Sequence, residues 1–352
     1  YKFFDREGNT LVLRSDITPS IARAATTVFD RERLPIRLCY QGNTFINHPG
    51  YQGRLHENTQ AGAELMGVDT VMADAEMVVM AVDCLKEVGL KDFQIHIGSV
   101  DFFESLIEET GLCEEDEARL RELIKNRNFF GVEELLERAH VKTTAKVAFA
   151  MLPELIGGEE ILKEAKKAAV NEKALEAAKR LEELYGLLTG YGVEKYITFD
   201  LSMSGSYGYY TGIIFRGYTY GTGDAIVKGG RYDKLLEKFG KPSPSIGFVI
   251  VVDELMNAFA RQKIEIPYKY KNTFLLYDGN RQAEAIKLAK EFRASGKQTE
   301  LVEKREDTSL EAYINCAKQN LCVSMLYLRN TNEIEMVNLL TGKSKSVSKK
   351  IK

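Results

Sequence analysis

Two hydrophobic periods alternate along the chain. Runs in which apolar and polar residues trade places every other position read as half-buried strands, and stretches with an apolar residue every third or fourth position read as amphipathic helices. Residues 9–14 (NTLVLR) predict a strand, after which Asp16-Ile17-Thr18-Pro19 opens a helix with Asp16 as N-cap and Pro19 in the first turn. Residues 37–41 (RLCYQ) and 57–66 (ENTQAGAELM) flank a polar loop, 47–53, that carries Pro and Gly, which predicts a hairpin. Residues 71–89 have helical periodicity, and 93–97 return as a strand.

From 102 to 192 the pattern is helical throughout, rich in Glu, Lys, Leu and Ala. Leu175, Ala178, Leu181, Tyr185 and Leu188 make one apolar stripe, which is packing surface. Strand patterns resume at 196–200, 212–215, 219–220, 224–227 and 245–250, the last leading into a helix through Leu255 and Phe259. Their connections are too short for parallel crossovers, so an antiparallel sheet is expected. Residues 264–271 read as a linker to a β-α-β-α-β pattern: strands 273–277, 298–302 and 322–328, helices 282–293 and 310–319. A run at 333–340 closes it as a hairpin over Asn330-Thr331-Asn332, and the lysine-rich tail 341–352 reads as a solvated, frayed end. The expected class is α+β. Residues 1–101 and 193–263 form one domain interrupted by a helical insertion at 102–192, and 270–352 form a C-terminal α/β domain.

Composition narrows the function classes. At about 150 residues per domain, 352 residues suit roughly two domains, and 44% apolar with 28% charged residues is ordinary for a globular chain. A net charge of −3 gives no global field for a nucleic acid. No apolar run approaches the ~18 residues that cross a bilayer, so no membrane role is expected. Five scattered cysteines (Cys39, Cys84, Cys113, Cys316 and Cys322) without a CxxC pair suit a reducing, cytoplasmic setting. Tyr1 opens in mid-pattern, which reads as the interior of a domain whose first residues precede it. The histidines His48, His56, His96 and His140 lack metal-ligand spacing, and no phosphate loop, HExxH or GxSxG is present, so neither metal nor cofactor is expected. Gly221-Thr222-Gly223 lies between short strands and reads as a hairpin turn rather than a dinucleotide fingerprint.

Four segments carry more. They are LRSDITP at 13–19, FINHPGYQGRLHENTQAGAELMG at 45–67, YYTG at 209–212, and KGGRYDKL at 228–235 followed by SIGF at 245–248. In this order and spacing they resemble the catalytic domain of histidyl-tRNA synthetase, a class II aminoacyl-tRNA synthetase fold. The match runs to about Arg261 around a helical insertion, and the C-terminal block resembles that family's anticodon-binding domain. The resemblance implies an amino-acid pocket with Asp16 as the ammonium-binding acid, Gln60 on the carboxylate side, Glu64 as a second acid, and Tyr209 and Tyr210 as wall and hydroxyl. An acid pair with aromatics suits a cationic or imidazole-bearing amino acid.

The departures from the family fall on its phosphate-binding arginines. Ile46 stands where the loop's Phe-Arg arginine would follow Phe45, and Gly205 stands four residues before Tyr209, where the family has its own catalytic arginine. Glu254 takes the place of the third motif's arginine. Losing one charge-assisted phosphate contact costs ~2–4 kcal/mol, so three lost together should abolish adenylation. A synthetase-like body without ATP chemistry resembles the regulatory subunit of ATP phosphoribosyltransferase, a non-catalytic family paralogous to histidyl-tRNA synthetase. That resemblance implies a short-form catalytic subunit as partner, a synthetase-like dimer, histidine as feedback effector, and no tRNA. The alternative is an active histidyl-tRNA synthetase.

Overall fold

A computed structural model describes residues 1–29, 34–48, 54–205, 208–266, 272–330 and 333–348. The chain divides into two compact units, Tyr1–Glu265 and Ile266–Lys352. The loop residues 49–53, most of the expected linker and part of the 330–332 turn lie outside the described residues.

The first unit opens with a two-stranded antiparallel ribbon, β1 (Lys2–Phe4) and β2 (Thr10–Val12), followed by helix α1 (Thr18–Thr27). Pro19 occupies the first turn of α1 as expected, but Ile17 rather than Asp16 holds the N-cap position. Asp16 lies one residue further out, where its Oδ1 accepts the Thr18 N–H at 3.1 Å. Strands β3 (Ile36–Phe45) and β4 (Glu57–Met66) form the expected antiparallel hairpin. Helix α2 (Val71–Glu87) follows, capped by the Thr70 hydroxyl, and then β5 (Phe93–Ser99).

Six helices come next: α3 (Val100–Thr110), α4 (Glu114–Lys125), α5 (Phe129–Arg138), α6 (Thr143–Met151), α7 (Glu160–Ala168) and α8 (Glu172–Gly190). The block is not wholly helical, because a two-residue strand, β6 (Ile156–Gly157), sits between α6 and α7 and pairs with β7 (Ile197–Asp200). On α8 the buried line includes Ala174, Ala178, Leu181, Leu184 and Leu188, while Leu175 and Tyr185 flank it half-buried. The sheet continues with β8 (Thr211–Thr219), β9 (Val227–Arg231) and β10 (Ser245–Val251), and α9 (Val252–Gln262) closes the unit.

The eight strands run in the order β3-β4-β10-β9-β8-β5-β7-β6. Every pair is antiparallel except β5 and β7, which are parallel. The expectation of a purely antiparallel sheet fails there because the helical block itself provides the long crossover that a parallel pair needs. The strand expected at 224–227 is displaced to Val227–Arg231, so the glycine pair of KGGR lies inside the sheet.

The second unit is a five-stranded sheet in the order β12-β11-β13-β14-β15, formed by β11 (Asn272–Tyr277), β12 (Thr299–Glu303), β13 (Cys322–Leu328), β14 (Glu333–Asn338) and β15 (Ser344–Ser348). Its helices are α10 (Gln282–Ala294) and α11 (Leu310–Gln319). The two-residue period of β11 sends Phe274 and Leu276 to a core with Ala317 and Met325, and Leu275 and Tyr277 to a core with Ala285 and Ala289. The tail is not simply frayed, since β15 adds an antiparallel edge strand to β14.

Candidate functional site

A polar cavity of the first unit, about 410 Å³, lies on one face of its sheet. Register explains its floor. Glu64 on β4, Gly247 on β10 and Gly230 on β9 lie side by side across three strands, and Gln60, four residues from Glu64, returns to the same face beside Val251. Gln60 and Glu64 are thus strand neighbours on one face rather than one turn apart on a helix. A Cβ at Gly247 would fall 1.6 Å from Glu64 Oε2, so only glycine leaves room for the carboxylate. Gly247→Ala is therefore expected to cost ~1–3 kcal/mol by overpacking and to displace Glu64, which a calorimetric melt of the variant checks.

Glu64 is almost fully buried, 2% exposed. The Thr18 hydroxyl donates to its Oε1 at 2.9 Å and the Tyr232 hydroxyl donates to its Oε2 at 2.6 Å. Burial pushes its carboxyl up to about 8, although both hydrogen bonds favour the ionised form; the nearby Asp16 charge adds to the rise. Burial and the Glu64 charge likewise raise the Tyr232 and Tyr40 hydroxyls far above the ordinary tyrosine range. Asp16 is held from the other side, accepting from the Tyr209 hydroxyl at Oδ2. The Tyr209 and Tyr210 rings lie 5.1 Å apart between centroids, and Tyr209 meets Tyr232 edge-on at 6.2 Å. Helix α1 places Asp16 and Thr18 here because Ala22 and Ala25 pack against Met66, Tyr232 and Leu235.

Asp16, Gln60, Glu64, Tyr209 and Tyr210 all line this one cavity. Ile46 and Glu254 line it too, but Gly205 does not; it belongs to a neighbouring cavity. Sequence reasoning passed over Thr18 and Tyr232, the two donors to Glu64, although both lie within segments it singled out. It also missed that three cations, Arg54, Lys228 and Arg261, still line the cavity. Lys228 is engaged with Asp224 at 3.0 Å. Burial opposes ionisation of Asp224, but Lys228, the Ala225 N–H and Arg54 outweigh it and hold the carboxyl below its usual value. The cavity can hold a small molecule whose donors face two acids at one end, with aromatic walls beside them. Among the described residues no group of three or more His, Cys, Asp or Glu side chains is placed to hold a metal ion, and the five cysteines are free thiols.

Arg231, in the GGRYD segment, faces away from this cavity. Its buried guanidinium donates to the Val68 carbonyl at 2.7 Å and lies 3.3 Å from Asp74 on α2, which also pairs with Arg180 of α8 at 2.8 Å. The helical block is thereby tied to the strand that supplies Gly230 and leads into Tyr232.

A family model described as histidyl-tRNA synthetase matches residues 1–255. A relative from Acetivibrio thermocellus, described as an ATP phosphoribosyltransferase regulatory subunit, is 38% identical over 348 residues, covering 99% of this chain and 83% of its own length. Another with the same description, from Thermoanaerobacter pseudethanolicus, is 40% identical over 301 residues, 86% of this chain and 79% of its own. Among solved structures, an ATP phosphoribosyltransferase regulatory subunit/histidyl-tRNA synthetase from Bacillus halodurans superposes with a TM-score of 0.77 at 32% identity, over 94% of this chain and 81% of that one. A histidyl-tRNA synthetase from a Nostoc species has a TM-score of 0.78 at 17% identity over 99% of this chain and 84% of that one, and shares the fold.

Proposed function

The chain belongs to the family of ATP phosphoribosyltransferase regulatory subunits, and we propose that it acts as the non-catalytic partner of a short-form ATP phosphoribosyltransferase, passing histidine feedback to it. The observation that carries this reading is the composition of the cavity. Asp16, Gln60, Glu64, Tyr209 and Tyr210 line one cavity together with Ile46 and Glu254, the two positions at which the resemblance to the synthetases implies arginines. Amino-acid activation needs preorganised cations aimed at the developing phosphate charge. With Glu254 there instead, the cavity favours binding an amino acid over activating it, and the glycosyl-transfer chemistry belongs to the partner subunit.

In this mechanism histidine presents its ammonium to Asp16 and its ring donors to Glu64, with Tyr209 and Tyr210 beside it. It inhibits to the extent that it binds one conformation of the assembly more tightly than the other. A useful switch needs only ~1–3 kcal/mol of such coupling. The working form in this reading is a synthetase-like dimer within a hetero-oligomer in the cytoplasm, with no tRNA bound. Among the described residues no helix is long and apolar enough to cross a membrane.

The test is co-expression with a short-form catalytic subunit, with turnover of ATP and phosphoribosyl pyrophosphate measured with and without histidine. Turnover is expected to need this chain and to fall with histidine. Histidine-dependent ATP–pyrophosphate exchange by the chain alone would instead make Arg54, Lys228 and Arg261 functional substitutes for the missing arginines and overturn the reading. Loss of histidine inhibition on Asp16→Asn, with turnover of the complex retained, assigns the effector to this cavity.

A further inference from the structure

An open groove of about 550 Å³ lies where the end of β8 meets the start of β5. It is on the same sheet face as the first cavity. His96, which lines the groove, stands opposite Arg216, Arg216 opposite Lys228, and Lys228 opposite Val249, and the last two line that cavity. We propose that this groove is the surface on which the catalytic subunit docks, through a segment that sets an acidic side chain among apolar ones. The inference rests on the reading of the chain as a regulatory subunit and adds where the partner sits.

Aromatic rings form the body of the groove. Phe93 and Tyr196 stack nearly parallel with centroids 4.6 Å apart, and His96 meets Tyr218 edge-on at 5.1 Å. These rings are ordered against one another before a partner arrives, which lowers the entropy lost on docking. Among the described residues, none hydrogen-bonds the Tyr196, Tyr218 or Tyr220 hydroxyl or the His96 ring. Tyrosines with an apolar body and a free polar tip are typical anchors of protein interfaces. The charge at the rim selects the partner. Lys91 and Lys195 are exposed and pair with no acid among the described residues, whereas Lys142, Lys166 and Lys173 of the helical block each have one. The Lys195 ammonium lies 4.8 Å from the centre of the Tyr196 ring. Asp92 shares the lining, so two lysines against one aspartate leave a net positive rim that complements a carboxylate-bearing segment.

The groove and the first cavity share one turn. Strand β8 starts directly after Tyr210, a wall of the cavity, and ends at Thr219. Tyr220, 59% exposed, then lines the groove, while the next residue, Gly221, lines the cavity together with Gly223. Helix α9 holds this turn in place. The Gln262 amide donates to the Tyr220 carbonyl at 2.8 Å and to the Thr219 hydroxyl oxygen at 2.9 Å, and that hydroxyl donates to the Asp92 carbonyl at 2.6 Å. Arg261 lines the cavity and packs on Gly221, where an added Cβ would fall 3.1 Å from its own. A subunit in the groove and a small molecule in the cavity thus meet opposite sides of one turn. Their affinities are coupled, reciprocally, to the extent that each favours one position of it.

The test is calorimetric titration of the full chain with a short-form catalytic subunit at low and high salt. The wild type is expected to bind, and to bind more weakly at high salt because lysine–carboxylate contacts are screened. Tyr220→Ala should weaken the complex at least tenfold by removing an aromatic anchor. Lys91→Glu combined with Lys195→Glu should weaken it at least tenfold at low salt and flatten its salt dependence. All three side chains are exposed, so the variants should melt with the wild type. Histidine affinity of the isolated variants should also be unchanged, since none of the three residues lines the first cavity. Variants that bind the catalytic subunit as tightly as the wild type overturn the docking surface and leave the regulatory reading standing. So does loss of self-association in their place, read by analytical ultracentrifugation, which would assign the groove to a second copy of the chain. A wild-type chain that does not bind the catalytic subunit at all overturns the regulatory reading and the docking surface with it.

Discussion

Replacing Glu64 with Gln is expected to stabilise the unliganded protein at alkaline pH while weakening histidine binding at least ~30-fold. The two effects have one cause. A buried carboxyl whose folded value is about 8, against 4.5 when unfolded, keeps a proton that the unfolded chain has lost. Stability therefore falls as pH rises from about 4.5 towards 8, and the cost is fully present above that window. A shift of this size, at 1.36 kcal/mol per unit, sets a ceiling of about 5 kcal/mol at pH 9. Gln removes the titration and keeps the shape, and the Thr18 and Tyr232 hydroxyls can each turn to donate or accept. Part of the gain is lost to imperfect amide pairing, so ~2–4 kcal/mol is expected at pH 9 and almost none at pH 5. Melts of the first unit's transition at pH 5, 7 and 9 test this, and an advantage that does not grow with pH refutes it.

Binding moves in the opposite direction because the ligand is what repays the buried charge. A cationic donor arriving beside Glu64 favours its ionised form, so the wild-type protein should release a proton when it binds histidine at pH 7, and the variant should not. Calorimetry in buffers of different ionisation enthalpy reads that proton directly. Loss of one charge-assisted hydrogen bond, ~2–3 kcal/mol, corresponds to the expected fall in affinity. Equal histidine affinity in wild type and variant would remove Glu64 from the site.

Much of this arrangement was legible in the sequence, and the misses share a physical origin. The β3–β4 hairpin, helix α2 and the five core elements of the second unit follow from period and turn residues alone. The acids and aromatics that line the first cavity lie in the segments whose order pointed to the fold. Strand β9 was misplaced because KGGR has little β-propensity of its own. Its pairing is imposed by neighbours: a Cβ at Gly229 would fall 2.4 Å from the Phe215 ring, so the close approach of β8 and β9 needs that glycine. The parallel pair of β5 and β7 was hidden because their contact is made across the helical block, and β15 because a lysine-rich tail reads as solvated until an edge strand accepts it. Counting lost arginines at Ile46, Gly205 and Glu254 described what had gone from three positions. It could not show that Arg54, Lys228 and Arg261 line the cavity that Ile46 and Glu254 line, or that Gly205 lines a different one.

Arg231→Met is the substitution expected to damage the fold most, by ~3–5 kcal/mol, because it removes one partner of a buried ion pair and leaves the other. Arg231 is 1% exposed and Asp74 fully buried. Burial raises the Asp74 carboxyl above its usual value even though Arg231 and Arg180 both pull it down. Without Arg231 the pull comes from Arg180 alone, which is partly exposed to solvent, and the Val68 carbonyl loses its donor at 2.7 Å. Asp74 then holds its proton to a higher pH, so the deficit of the variant should be largest at alkaline pH and shrink as pH falls and the carboxyl is neutralised. A second substitution, Asp74→Asn, should recover part of the loss in the Arg231→Met background while destabilising the wild type, the coupling that a double-mutant cycle detects. Because Arg231 directly precedes Tyr232, whose hydroxyl holds Glu64, the single variant should also weaken histidine where it remains folded. A pH-independent deficit, or additive effects in the cycle, would show that Arg231 and Asp74 do not act as a pair.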